Sequence, residues 1–452
     1  MELSNNRQLA LSQRFVVGGL FLLIAGMIFG LMGALQYVIP GALKEYLSFE
    51  KIRPLHVSSV VFWILSAAIG GVSTYIQQHT GKMMYSQTLM RLHWYIFNCT
   101  ILLILISYCG GIFGGREYWE FHPLLALPVI LGWILFLINV CKSIGGIRNQ
   151  PVYVWMWLTG VIFFLFTFCE SYLWIIPYFR GNIVNDMTIQ WKSYGSMVGS
   201  WNMLIYGCSI FLMQKISGNK SYAHSKIAYV LYFTGLFNLM FNWGHHIYTL
   251  PTHDYVKHIS YAVSMTELFI VGRIIFQWKK SVTTAQKYFH TTEYRLLLAA
   301  DAWIFLTLVL AITMSIPSVN IYTHGTHVTV AHTMGATIGI NSFLLLAVAF
   351  DILGRSNTMP DLGKKLFTIG YWIANCALLV FWLSLIMAGV TKAQWQFSSN
   401  RIPYGDMMHQ LHPYFMVFLL SGICLLSGIV IMVVPMIKFS KSHNVANNQA
   451  SD

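Results

Sequence analysis

The sequence predicts an all-α, polytopic membrane protein, and three observations carry that prediction. Of its 452 residues, 56% are hydrophobic and only 10% are charged, whereas soluble domains carry about 25% charged residues. Twelve apolar stretches each reach the ~20 residues that a helix needs to cross a bilayer. Lysines and arginines cluster between those stretches, so the net charge of +13 serves topology and does not call for a nucleic-acid partner. Helices follow because a backbone in lipid must satisfy its own hydrogen bonds.

The twelve spans are read at 15–40, 56–76, 93–113, 123–143, 152–177, 189–214, 225–248, 257–277, 294–318, 325–353, 364–390 and 408–437. A polar stretch up to Arg14 runs straight into the first span, without a secretory signal pattern. The second opens on His56, after Lys51 and Arg53. The third follows Lys82 and Arg91, and the fourth follows a loop reading GGREYWEF. Glu170 lies in the fifth span. The sixth has no histidine or carboxylate between Ile189 and Met213. The seventh ends on His245 and His246, the eighth carries Glu267, and the ninth carries Asp301. The tenth opens on histidines. Residues 1–440 read as one membrane domain, and 441–452 as a short disordered tail. Basic residues fall mostly on the side of the N-terminus, which puts both termini in the cytoplasm. Seven cysteines (99, 109, 141, 169, 208, 376 and 424) form no CxxC or CxxCH. They read as small buried residues and exclude a zinc ribbon or a covalently attached haem.

The chemistry concentrates in Thr323–Asn341, THGTHVTVAHTMGATIGIN. His324, His327 and His332 sit there beside threonines 326, 329, 333 and 337, which share one helical face. Threonines alone can be a polar seam that glues helices. Histidines at membrane depth instead mark a site. His56, His245, His246, His324, His327 and His332 all fall in the outer half of the predicted bundle, which points to one buried redox or metal assembly. Imidazole suits haem iron, non-haem iron and copper. His332 and Met334 are two apart, about 200° around a helix, so each can reach a different haem. His245 and His246 form a metal clamp at a helix end that Gly244 loosens. Glu267 and Glu170 each need a partner, a metal or a proton. Asp301 can snorkel or pair. Long polar tracks from the inner side are not evident.

These residues lie in LHVSSVVFW at His56, GGREYWEF at 114–121, WGHHIY at 243–248, SMTE ending at Glu267, and SIPSVNIYTHGTHVTVAH at 315–332. Together they resemble the large, haem-bearing subunit of the cytochrome c-dependent nitric oxide reductases, of the haem-copper oxidase superfamily. The resemblance covers nearly the whole chain and implies a twelve-helix bundle in a bacterial inner membrane, in a respiratory chain of denitrification. It implies that His332 is the proximal ligand of high-spin haem b3 and that His56 ligates low-spin haem b. His245 and His246 would bind non-haem iron, with Glu267 near it for proton delivery. Glu117 would help hold calcium, with Glu120 nearby, and His324 would sit by a haem propionate. Electrons would come from a c-type cytochrome to reduce NO. The chain departs from the family twice. Where the family has H-x-H, Met334 takes the second place. Where it has H-x-x-x-E in the sixth helix, Tyr194 and Val198 stand, so Tyr194 becomes a candidate oxygen ligand. Alternatives are NO dismutation or O2 reduction on the same scaffold, a haem protein with a degenerate non-haem site, and a transporter without haem.

Overall fold

The computed structural model describes residues 2–263, 283, 290–354 and 359–449. They form helices α1 (Glu2–Val38), α2 (Phe49–Thr80), α3 (Gln87–Cys109), α4 (Ala126–Ile144), α5 (Val152–Glu170), α6 (Ile183–Ser217) and α7 (Lys226–Phe241). Then come α8 (Thr291–Ser315), α9 (His327–Met334), α10 (Phe343–Leu353), α11 (Asp361–Phe397) and α12 (Tyr404–Gln449). Among the described residues the only extended pairing is an isolated bridge between Arg116 and Trp119.

Ten helical segments among the described residues are long and apolar enough to cross a membrane. They match ten of the twelve predicted spans. The seventh predicted span, 225–248, is a helix only to Phe241 and then tightens into a 3-10 turn over Asn242–Ile247. The eighth, 257–277, is helical over 254–263, and the rest of it, including Glu267, lies outside the described residues. The last helix continues to Gln449, where the sequence suggested a disordered tail from 441.

Polar residues set the helix starts. Ser86 accepts from Leu89 N–H to cap α3, Asn182 from Val184 and Asn185 to cap α6, and Thr326 from Val328 to cap α9; each satisfies donors that a first turn leaves open. Small residues set the spacing. A Cβ on Gly370 would lie 2.6 Å from the Gly428 carbonyl, and one on Gly160 would lie 2.7 Å from the Ser200 carbonyl, so α11 and α12, and α5 and α6, pack backbone to backbone. The middle of the bundle is α2, α6 and the α9–α10 unit, which are the most enclosed spans. Surrounding helices turn side chains such as Phe21, Leu102 and Phe305 outward. Cys208 is buried and the other six cysteines are exposed, which corrects the reading of all seven as buried; with lipid as solvent, an outward cysteine carries no burial requirement.

The two ends of the bundle differ. At one, the site end, the 242–247 turn borders a cavity together with Tyr118, Asn320 and His324. At the other, Lys215 on α6 reaches both carboxylate oxygens of Asp351 on α10 at 2.7 Å, and Tyr75 on α2 donates to the same carboxylate at 3.1 Å. Ion pairing lets this acid stay charged in an apolar bundle. That cluster joins residues more than a hundred positions apart, so no local pattern in the sequence announces it.

Candidate haem and metal site

An internal cavity of about 320 Å³ opens between α2, α6, α8, α9 and the 242–247 turn. It is bordered by His56, His245, His246, His324 and His332. Five of the six histidines singled out in the sequence, from α2, the 242–247 turn and the 324–332 stretch, border one space. Met334, Tyr194 and Val198 border it too, with Trp191 and Tyr118.

His56 is fixed from behind. Its Nδ1 lies 2.7 Å from the Gly26 carbonyl on α1. A carbonyl only accepts, so Nδ1 carries the hydrogen and the neutral ring keeps its Nε2 lone pair free. That is the arrangement that metal-bound histidines show, with one nitrogen anchored and the other open. A Cβ on Gly30 would come within 2.8 Å of the same nitrogen, so α1 makes room for the ring by having no side chain there.

His245 and His246 sit on the 3-10 turn with ring centroids 4.2 Å apart and planes at 42°. His245 donates to the Asn242 backbone carbonyl. His246 stacks on Trp191 of α6, with centroids 5.0 Å apart and planes at 11°. Gly244 is required here for space rather than for looseness: a Cβ would lie 2.0 Å from Ser260 Oγ. Among the described residues, no group of three or more histidines, cysteines or acids is placed to hold a metal ion. Tyr194, the candidate oxygen ligand from α6, borders the same cavity.

His332 lies on α9 with the Thr307 backbone carbonyl against its ring. Immediately after Met334 the helix widens into a π-segment, Gly335–Ser342, a distortion that concentrates at functional sites. A Cβ on Gly335 or Gly339 would lie 2.5 Å from Thr307 Oγ1 or from the Trp303 ring, so α8 packs directly onto the widened turn. His332 and Met334 both border the cavity. The threonine hydroxyls turn back onto their own chain: Thr333 donates to the Thr329 carbonyl at 3.1 Å and Thr337 to the Thr333 carbonyl at 2.8 Å. They line the cavity rather than glue helices.

Two histidines break the sorting seen in sequence. His327 packs against Tyr37 and Phe415, at 6.0 and 5.2 Å, away from the cavity wall. His93 on α3 is fully buried among Phe15, Phe97 and Phe136 and was not counted. Glu170 finds its partner in Lys192.

The loop 110–122 closes the site end. Glu117 and Glu120 both pair with Arg53, at 3.5 and 2.6 Å, and Arg53 lies one helical turn before His56. Burial raises the pKa of Glu120 above the usual carboxylate range, and Arg53 opposes the rise. Glu117 is in this exposed pair and does not border the cavity. Between the two acids, Tyr118 takes a left-handed φ of 68°, which is uncommon outside glycine. It meets Tyr194 edge-on at 5.2 Å, and burial pushes its phenol up to about 12. Trp191 and Tyr118 were given no role of their own from sequence, because stacking partners across elements leave no spacing signal.

The sequence matches the family model described as cytochrome c and quinol oxidase polypeptide I over residues 10–424. The chain belongs to the haem-copper oxidase superfamily. Members are membrane oxidoreductases that bind haems and a catalytic metal. A nitric oxide reductase subunit of Stutzerimonas stutzeri is 22% identical over 93% of both chains. A cytochrome c oxidase subunit 1 homolog of Agrobacterium tumefaciens is 21% identical over 92% of this chain and 81% of its own. An electron-microscopy structure of a heme-copper terminal oxidase dimer has the same fold, with a TM-score of 0.75 at 13% identity over 96% of this chain and 84% of the other. His56 borders the cavity with its Nδ1 held by the Gly26 carbonyl, so its other ring nitrogen could serve a haem iron. His332 offers a second imidazole to the same space. His245 and His246 offer two donors to a metal ion beside it.

Proposed function

We propose that this chain is the catalytic subunit of a nitric oxide reductase, converting 2 NO, two protons and two electrons to N2O and water. The observation that carries the proposal is that imidazoles from α2, the 242–247 turn and α9 border one cavity. In this reading His332 holds high-spin haem b3, and His56 holds low-spin haem b with Met334 as candidate second ligand. His245 and His246 hold the non-haem metal, with Glu267 and Tyr194 as further candidates. When bound, the haem and metal supply adjacent iron sites for two NO molecules, replacing an encounter in solution by proximity, and they stabilise developing charge.

The chain's own residues do the rest. Val57, Val60, Val61, Val198 and Ala311 make much of the cavity wall apolar, which suits a small uncharged gas and keeps bulk water out. Electrons would enter from a c-type cytochrome at the outer face, which this reading identifies with the site end. Protons would come from the same side, through Glu120, which pairs with Arg53, and past Tyr118. Glu117 remains the candidate calcium ligand, and His324 a propionate neighbour. Both termini would lie in the cytoplasm of a bacterium.

A second reading, O2 reduction or NO dismutation on the same scaffold, is favoured by the similar identity to cytochrome oxidase homologues and by an α6 without histidine or carboxylate at its cavity face. Purified protein should show two b-type haems and one non-haem metal per chain, and an NO electrode should record consumption with N2O formed. Absence of a Soret band would end both readings. Labelled O2 released from NO without reductant would select dismutation, and O2 consumption without NO consumption would select the oxidase.

A further inference from the structure

We infer that Trp191 is a positioning residue for the second metal, holding His246 in place of the hold that α6 would otherwise exert by coordination. The inference rests on the reading of His245 and His246 as metal ligands. α6 passes the cavity without a histidine or carboxylate between Ile189 and Met213. It still touches the ligand pair, through the indole face of Trp191, parallel to the His246 imidazole at 5.0 Å and 11°.

The two neighbouring imidazoles are secured in different ways. The His245 ring is tied by a hydrogen bond to the Asn242 carbonyl. The His246 ring lies 4.2 Å from the His245 ring and 5.0 Å from the indole ring. An imidazole turns about its Cβ–Cγ bond, and its ligating lone pair lies in the ring plane. Stacking fixes that plane without occupying either ring nitrogen, so the metal-binding edge stays free. The backbone is arranged to permit the contact. Gly195, one turn after Trp191, would carry a Cβ 2.8 Å from the Trp243 Cβ. Gly199, a turn further, would carry one 2.9 Å from the Leu239 side chain. α6 therefore approaches the 242–247 turn closely where the stack forms. An aromatic pair and an outer partner of a metal ligand each contribute on the order of a tenfold change in affinity.

The test loads full-length purified protein with Fe(II) alone, after chelation, and measures iron retention by competition with a chelator. Haem content is measured on the same samples. Trp191→Phe keeps a ring and is expected to match the wild type. Trp191→Leu is expected to hold Fe(II) about tenfold more weakly while both haems stay. Should Trp191→Leu lose haem, Trp191→Met is measured instead. Equal retention in the wild type and the non-aromatic variant overturns the inference and leaves the metal reading standing. Equal loss in the Phe and Leu variants also overturns it, as does loss of haem along with iron in both Leu and Met. A wild-type protein with haem but no Fe(II) binding overturns the metal reading itself.

Discussion

The cavity has two unlike walls. On one, His56 and His332 sit on the central helices; the Gly26 carbonyl anchors His56 Nδ1, whereas His332 Nδ1 is buried without a hydrogen-bond partner among the described residues. On the other, His245 and His246 sit on a short 3-10 turn, and α6 brings aromatic rings rather than metal-binding groups. Both departures of the sequence from the reductase pattern border this cavity, but only the second wall has lost donors outright. In the proposed reading, the haem wall keeps a donor at each place of the pattern, with Met334 where the family has a histidine. The metal wall has Trp191 stacked on His246 and no histidine or carboxylate from α6.

The largest effects should come from the haem wall. His332→Ala is expected to remove the high-spin haem, and His56→Ala the low-spin haem, each seen as loss of its own absorption band while the chain still inserts. Either change should reduce NO turnover to background. On the metal wall, His245→Ala or His246→Ala should leave both haems bound and lower metal content and turnover by about 100-fold. If those variants also lose haem, the two walls are not separable and the comparison breaks.

Gly30→Ala places a methyl within 2.8 Å of His56 Nδ1. It should disturb the Gly26 hydrogen bond and shift the low-spin haem spectrum and potential without changing metal content. An unchanged spectrum would mean that His56 is not the haem's ligand. Gly244→Ala forces a Cβ to 2.0 Å from Ser260 Oγ and should destabilise the turn by about 1–3 kcal/mol, read as weaker metal retention that Ser260→Gly partly restores.

Glu120→Gln sharpens the proton side. Burial raises the Glu120 pKa, so its carboxyl keeps its proton to higher pH than an exposed acid. If it delivers protons, turnover falls as pH rises through that raised pKa, and the amide variant loses this limb of the profile. The smallest effect is expected at Tyr194→Phe, a few-fold loss of metal retention if the phenol is a ligand. Unchanged iron content and turnover would remove it from the site.

Much of this was legible in sequence because lipid imposes a simple rule: long apolar runs become helices. Ten spans follow it. The seventh deviates because Gly244 must pass close to Ser260, a contact with a residue sixteen positions later. The five cavity histidines were legible because an imidazole at membrane depth is costly without a purpose. His327 was misplaced because helix phase alone does not tell which neighbour, Tyr37 and Phe415 or the cavity, a ring will meet. His93 went uncounted because its aromatic cage draws Phe15 from α1 and Phe136 from α4. The contacts of Trp191 and Tyr118 and the Lys215–Asp351 pair could not be read for the same reason: their partners are far away in the chain.

The central claim is that His56, His245, His246 and His332 share one space and hold iron there. An experimental density map of the purified protein tests it most directly. It should show a haem iron bonded to His56, a second bonded to His332, and a metal ion between His245 and His246 within the same cavity. Four imidazoles in separate pockets, none bonded to a metal, would contradict it.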